Sequence, residues 1–95
     1  MDRQELERSW AVTRGHLADA RNLLPQTLMD SEEGWSMMRY EEWLAHNELE
    51  LALEELEGLG DENYASTAFW ADLFAAAVNM GLSAHAERYM RRSRE

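Results

Sequence analysis

Histidines and carboxylates are the residues in this chain whose types could do chemistry. The three histidines, His16, His46 and His85, stand thirty and thirty-nine residues apart, and no spacing brings two of them onto one helical face. His46 and Glu50, four residues apart, would supply half a metal site, but a helix boundary is expected between them. A histidine at a helix end that hydrogen-bonds neighbouring backbone is the simpler role. Carboxylates stand side by side at Glu32-Glu33, Glu41-Glu42, Glu54-Glu55 and Asp61-Glu62. Glycosidases and two-metal hydrolases use paired acids, but they need them converging in a cleft with displaced pKa values. Adjacent residues on a helix point apart. There is no Gly-x-Ser-x-Gly elbow and no glycine-rich phosphate loop, and the lack of cysteine removes thiolate nucleophiles, thiolate metal sites and disulfides. The residues point away from an enzyme and offer no cofactor or metal site.

Charge is the stronger signal. The 95 residues carry a formal net charge of −10. From Tyr40 to Glu87 there are eleven acids and no Arg or Lys, while Arg88, Arg91, Arg92 and Arg94 crowd the last turns. Such a field repels phosphate backbones and anionic membrane and attracts basic surfaces. Direct nucleic-acid binding is disfavoured, and a protein with a basic surface is the expected partner. No apolar run approaches the roughly 20 residues that span a bilayer, and the opening residues lack the basic-then-apolar layout of a leader, so the expected location is the cytoplasm.

The elements that must carry these charges read as helices. Asp2 with Glu5 forms a capping box, and Leu6, Trp10, Thr13, Leu17, Ala20 and Leu24 recur at helical spacing, which predicts an amphipathic helix from Arg3 to Leu24 ended by Pro25. Gly15 weakens its middle. Gln26 to Gly34 reads as a connection. Trp35, Met38, Trp43 and Leu44 predict a second helix over Ser36 to Ala45. Asn47 as N-cap with Glu50 predicts a third from Glu48 to Leu59, whose inner face is Leu49, Ala52, Leu53 and Leu56 and whose outer face is Glu50, Glu54, Glu55 and Glu57, with Gly58 and Gly60 capping its end at positive φ. Trp70, Leu73, Phe74, Ala77 and Met80 define a wide-faced central helix stopped by Gly81. In a last helix capped by Ser83, Ala86, Tyr89 and Met90 face inward and the arginines complement the C-terminal dipole.

Nothing alternates with period two for long enough to make a strand. The expected fold is all-α: one domain over residues 1–95, a compact antiparallel bundle of four to five helices, or two stacked helical hairpins over 36–59 and 63–93. Trp10 and Trp70 belong to the core by their place on apolar stripes. Trp35 and Trp43 flank the acidic half, and an aromatic ringed by charge is the usual composition of a protein-binding hot spot.

The run Glu42-Trp43-Leu44-Ala45-His46-Asn47-Glu48-Leu49-Glu50-Leu51-Ala52-Leu53-Glu54-Glu55-Leu56, with its aromatic-leucine pair, His-Asn-Glu and later Ala-Leu, resembles small helical immunity proteins of bacterial polymorphic-toxin systems, the MafI-like group. The likeness covers fifteen residues. It implies a cytosolic antidote that binds a toxin domain and covers its active site, and an acidic helical surface would suit the basic groove of a nuclease toxin.

The sequence thus leads to an acidic protein-binding inhibitor of the immunity kind. Glu48, Glu50, Glu54, Glu55, Glu57, Asp61 and Glu62 are the candidate contact residues and Trp43 a candidate aromatic anchor. A different function follows if the stripe from Leu6 to Leu24 buries against a second copy of itself: a tetratricopeptide-like adaptor that homodimerises or joins a complex.

Overall fold

The computed structural model describes residues 2–95 and contains five helices: α1 (Arg3–Asn22), α2 (Met37–Ala45), α3 (Leu49–Glu62), α4 (Thr67–Met80) and α5 (Ser83–Ser93). Among the described residues there is no strand, and no helix is long and apolar enough to cross a membrane. The all-α expectation holds, with element bounds within a few residues of those read from the sequence. Asp2 caps α1 by accepting from the Glu5 amide at 2.8 Å, and Ser36 and Ser66 cap α2 and α4 in the same way.

The apolar faces converge on α4, which packs against α1 on one side and α5 on the other, while α2 packs on α3. Leu17 and Ala20 of α1, Leu53, Leu56 and Leu59 of α3, Phe69, Trp70 and Leu73 of α4 and Tyr89 of α5 meet in one core. Ala76 and Ala77 are fully buried, which lets neighbouring axes approach α4 closely. From Thr13 to Leu24 the α1 stripe is consumed in the chain's own core, leaving only Leu6 and Trp10 partly open for the self-association that stripe could have served.

Several local expectations are corrected. Asn47 does not cap α3; it stands just beyond α2 with φ 55°, and the bond from the Glu48 amide to the Trp43 carbonyl (2.8 Å) closes a Schellman-type end around it. Asparagine tolerates this left-handed conformation better than most side chains, so the residue ends one helix instead of starting the next. Glu48 occupies the α3 N-cap without a side-chain bond, and α5 starts from Leu82 instead of Ser83. Gly58 and Gly60 lie inside α3, which runs on to Glu62; a Cβ on Gly58 would collide with the Trp35 ring and one on Gly60 with the Phe69 ring. Here the glycines admit aromatic rings against the helix backbone. Gly81, with φ 72°, does end α4 as expected.

Tyr40, which lies on no stripe singled out above, is buried in the core, and burial pushes its phenol up to about 12. Met38, counted toward the α2 stripe, is instead 71% exposed. The stripe of α2 is carried by Tyr40, Trp43 and Leu44.

Candidate protein-binding surface

The segment between α1 and α2 forms a strap along the C-terminal half of α3, pinned at successive points. The Ser36 amide donates to Glu55 Oε2 at 3.0 Å, the Trp35 ring sits on Gly58, the Ser31 hydroxyl donates to Glu62 Oε1 at 2.6 Å, and the Met29 amide donates to Asn63 Oδ1 at 2.8 Å. The strap therefore runs antiparallel to α3. Its turn at Gly34 requires φ 88°, a conformation that glycine adopts without strain.

Between strap and helix lies a groove of about 460 Å³ lined by Glu33, Trp35, Glu54, Glu57, Gly58, Asp61 and Glu62. Four of the residues expected at a contact surface, Glu54, Glu57, Asp61 and Glu62, converge here. Glu33 and Trp35 join them because the strap folds back, a long-range event that local sequence pattern does not announce. The Trp35 indole donates to Glu33 Oε2 at 3.1 Å, leaving one ring edge engaged with a carboxylate beside the groove.

The α3 carboxylates of this groove are also met by an ion-pair row from α5. His85 Nε2 lies 2.9 Å from Glu54 Oε2, Arg88 donates twice to Glu57 at 2.6 and 2.8 Å, and Arg92 donates to Asp61 at 2.5 Å. Each pair spans 31 residues, so α3 and α5 run parallel in one register. The C-terminal arginines, read from the sequence as complements to their own helix dipole, instead neutralise part of the α3 acid row. The clue was present in the matching spacing of 54, 57, 61 and 85, 88, 92. Burial tends to raise the Glu57 carboxyl, but hydrogen bonds from Arg88 and Tyr89, with the charges of Arg88 and His85, outweigh it and hold Glu57 below the usual glutamate range. Burial first, and then the bond to Glu57 at 2.7 Å, push the Tyr89 phenol well above its ordinary value. The Arg92 guanidinium also lies 4.0 Å above the Trp70 ring.

Four residues expected at the contact surface fall outside this groove. Glu55 is corrected most sharply: it is 1% exposed and faces inward, where its two oxygens accept from the Ser36 amide and from the Trp43 indole at 3.1 Å, with Arg39 Nε at 3.4 Å. A residue so enclosed joins the strap and α2 to α3 and cannot meet a partner. Trp43 is half-buried, and its N–H is committed to Glu55, which sets it in the core rim instead of on a docking face. Glu48 and Glu50 are exposed at the opposite end of α3, where Glu50 lines a second cleft with Leu6, Trp10, Met80 and Leu82.

The corner between α2 and α3 is fastened to α1 by Arg14, which donates to the Leu44 carbonyl at 2.7 Å and to Asn47 Oδ1 at 3.0 Å. A cation at the C-terminal end of α2 is favourably placed against the helix dipole. Among the described residues, no group of three or more His, Asp or Glu side chains is arranged to hold a metal ion. Comparison with known protein families, characterised proteins and solved structures finds no match to this chain.

Proposed function

We propose that this chain is a protein-binding inhibitor of the immunity kind, which docks its acidic strap and α3 surface on a basic patch of a partner protein. The observation that carries the reading is the groove, where five carboxylates converge beside the Trp35 ring. Glu57 and Asp61 are matched by arginines of the chain itself, while Glu33 and Glu62 receive only neutral donors, Trp35 and Ser31. Negative potential therefore remains at the groove mouth. With a net charge of −10 behind it, such a surface steers cationic partners and speeds association by roughly one to three orders of magnitude.

A toxin domain with a basic active-site groove is the partner class supported by the likeness of residues 42–56 to MafI-like immunity proteins. That run builds the α2–α3 corner that Arg14 clamps, and of its residues Glu54 reaches the groove, so on this reading the motif mainly supports the binding surface from beneath. The expected location is the bacterial cytoplasm.

The test is growth of bacteria that express the protein encoded immediately upstream, with and without this chain. Rescue of a toxic neighbour supports the reading, and the double variant Glu33→Lys, Glu62→Lys should then bind that neighbour at least about tenfold more slowly while melting like wild type. A harmless neighbour, or a toxic one without rescue, removes the immunity reading.

A further inference from the structure

Three helices of this protein end in the same way. A backbone bond that reaches back five residues closes each end: Glu48 amide to Trp43 carbonyl at 2.8 Å, Ala65 amide to Gly60 carbonyl at 3.0 Å, and Leu82 amide to Ala77 carbonyl at 2.9 Å. Each bond encloses one residue in the left-handed region, and the three occupants are Asn47 (φ 55°), Tyr64 (φ 52°) and Gly81 (φ 72°). Glycine is the usual occupant and asparagine the usual substitute. A tyrosine there is an outlier, because its Cβ crowds the backbone while a left-handed residue is held.

The fold obtains no packing from this choice. The Tyr64 side chain is 88% exposed. The Met29 amide bond to Asn63 holds the strap at this end of α3, and Met29 is itself 59% exposed, so an exposed aromatic and an exposed thioether lie on adjoining segments there. Asp61 and Glu62 precede Tyr64 on the helix, and Asp30 follows Met29 on the strap. Asp61 is held by Arg92, but Glu62 accepts only from Ser31, so the apolar pair stands in negative potential. An exposed aromatic kept in an unfavourable backbone conformation, next to a second exposed apolar side chain, is the arrangement expected of an interface anchor.

We infer that Tyr64, supported by Met29, is the apolar anchor of the partner interface, and that it enters an apolar pocket ringed by Lys or Arg on the partner protein. The charge around the pair selects that occupant: a second copy of this chain would bring like charge to it. The inference rests on the basic-partner reading above and adds to it the residue that fixes the docking position.

The probe is a library of random twelve-residue peptides displayed on phage and selected on the wild-type protein. Selected peptides should carry an apolar residue flanked by Lys or Arg, and their Kd should rise at least roughly 30-fold for Tyr64→Gly and Tyr64→Asn. The same variants should melt no lower than wild type, with Tyr64→Gly raised by about 4 °C as the left-handed strain is relieved. Basic peptides that bind both variants as tightly as wild type would overturn the anchor alone and leave the basic-partner reading standing. Selection that yields no peptides, or peptides lacking Lys and Arg, would overturn both. Variants that melt well below wild type would show that Tyr64 serves the fold, and would likewise overturn the anchor.

Discussion

At the residue scale the position with most depending on it is Glu55. Its carboxylate ties α3 to two points of α2, the Ser36 amide at its start and the Trp43 indole within it. Removing the oxygens while leaving both donors enclosed removes two charge-assisted bonds, so Glu55→Ala should cost about 3 kcal/mol of stability by urea unfolding. Glu55→Gln keeps one carbonyl acceptor and most of the volume and should cost about half as much. Equal losses for the two variants would show that loss of the carboxylate charge, and not cavity formation or the remaining acceptor, sets the cost. A glutamate in a run of glutamates looks like solvated surface, and the periodicity of α3 alone put Glu55 outside. What turned it inward is the strap and the Trp43 donor, both distant in sequence. Asn47 was misplaced for a different reason: asparagine suits both a helix start and a left-handed helix end, and only the tertiary path separates the two.

At the scale of elements, glycine shows how one residue type can act with opposite sign. Gly15 in α1 has open space where a Cβ would lie, and Gly15→Ala should raise stability by about 1 kcal/mol through helix propensity alone. Gly58 in α3 carries the Trp35 ring on its backbone, so Gly58→Ala must displace the indole and should lower stability by roughly 1–3 kcal/mol despite the same gain in propensity. Thermal melting of the two variants checks both signs; a neutral Gly58→Ala would mean that Trp35 is not seated on the helix. Helix bodies were legible because their apolar spacing and serine or aspartate caps are local signals, as with Asp2 and Ser36. The C-terminal limit of α3 was not. Gly58 and Gly60 looked like terminators, and the ring packing that retains them inside the helix is set by Trp35 and Phe69 elsewhere.

On the scale of the whole molecule, the decisive arrangement is the parallel α3–α5 pair. No window of sequence contains both partners, which is why the acid row seemed uncompensated and the arginines were assigned only to their own helix dipole. The row makes acid stability predictable in sign. Glu57 is held below its usual range in the folded protein, so its stabilising contribution is complete above the unfolded-state value near 4.5 and is lost as pH falls through the lower folded value. Asp72 has the opposite sign: burial first, and then the neighbouring Asp19, raise its carboxyl, so the fold disfavours its charged form and loses stability as pH rises through that range. Melting midpoints of Glu57→Gln should accordingly fall less than those of wild type between pH 5 and about pH 3, whereas Asp72→Asn should melt higher than wild type at neutral pH and lose that advantage on acidification. A Glu57→Gln curve parallel to wild type across the acid range would show that the Arg88 clasp contributes nothing measurable.

The strap also divides the protein in time. It has no helix or strand, yet the amides of Met29, Trp35 and Ser36 are each bonded to side-chain oxygens, those of Asn63, Ser31 and Glu55. Asn63 and Glu55 belong to α3 and its end, and Ser31 is itself tied there through Glu62. Three amide protons of the strap thus share a common support, and hydrogen exchange should release them together, as the strap lifts from α3 as a unit before the bundle beneath it opens.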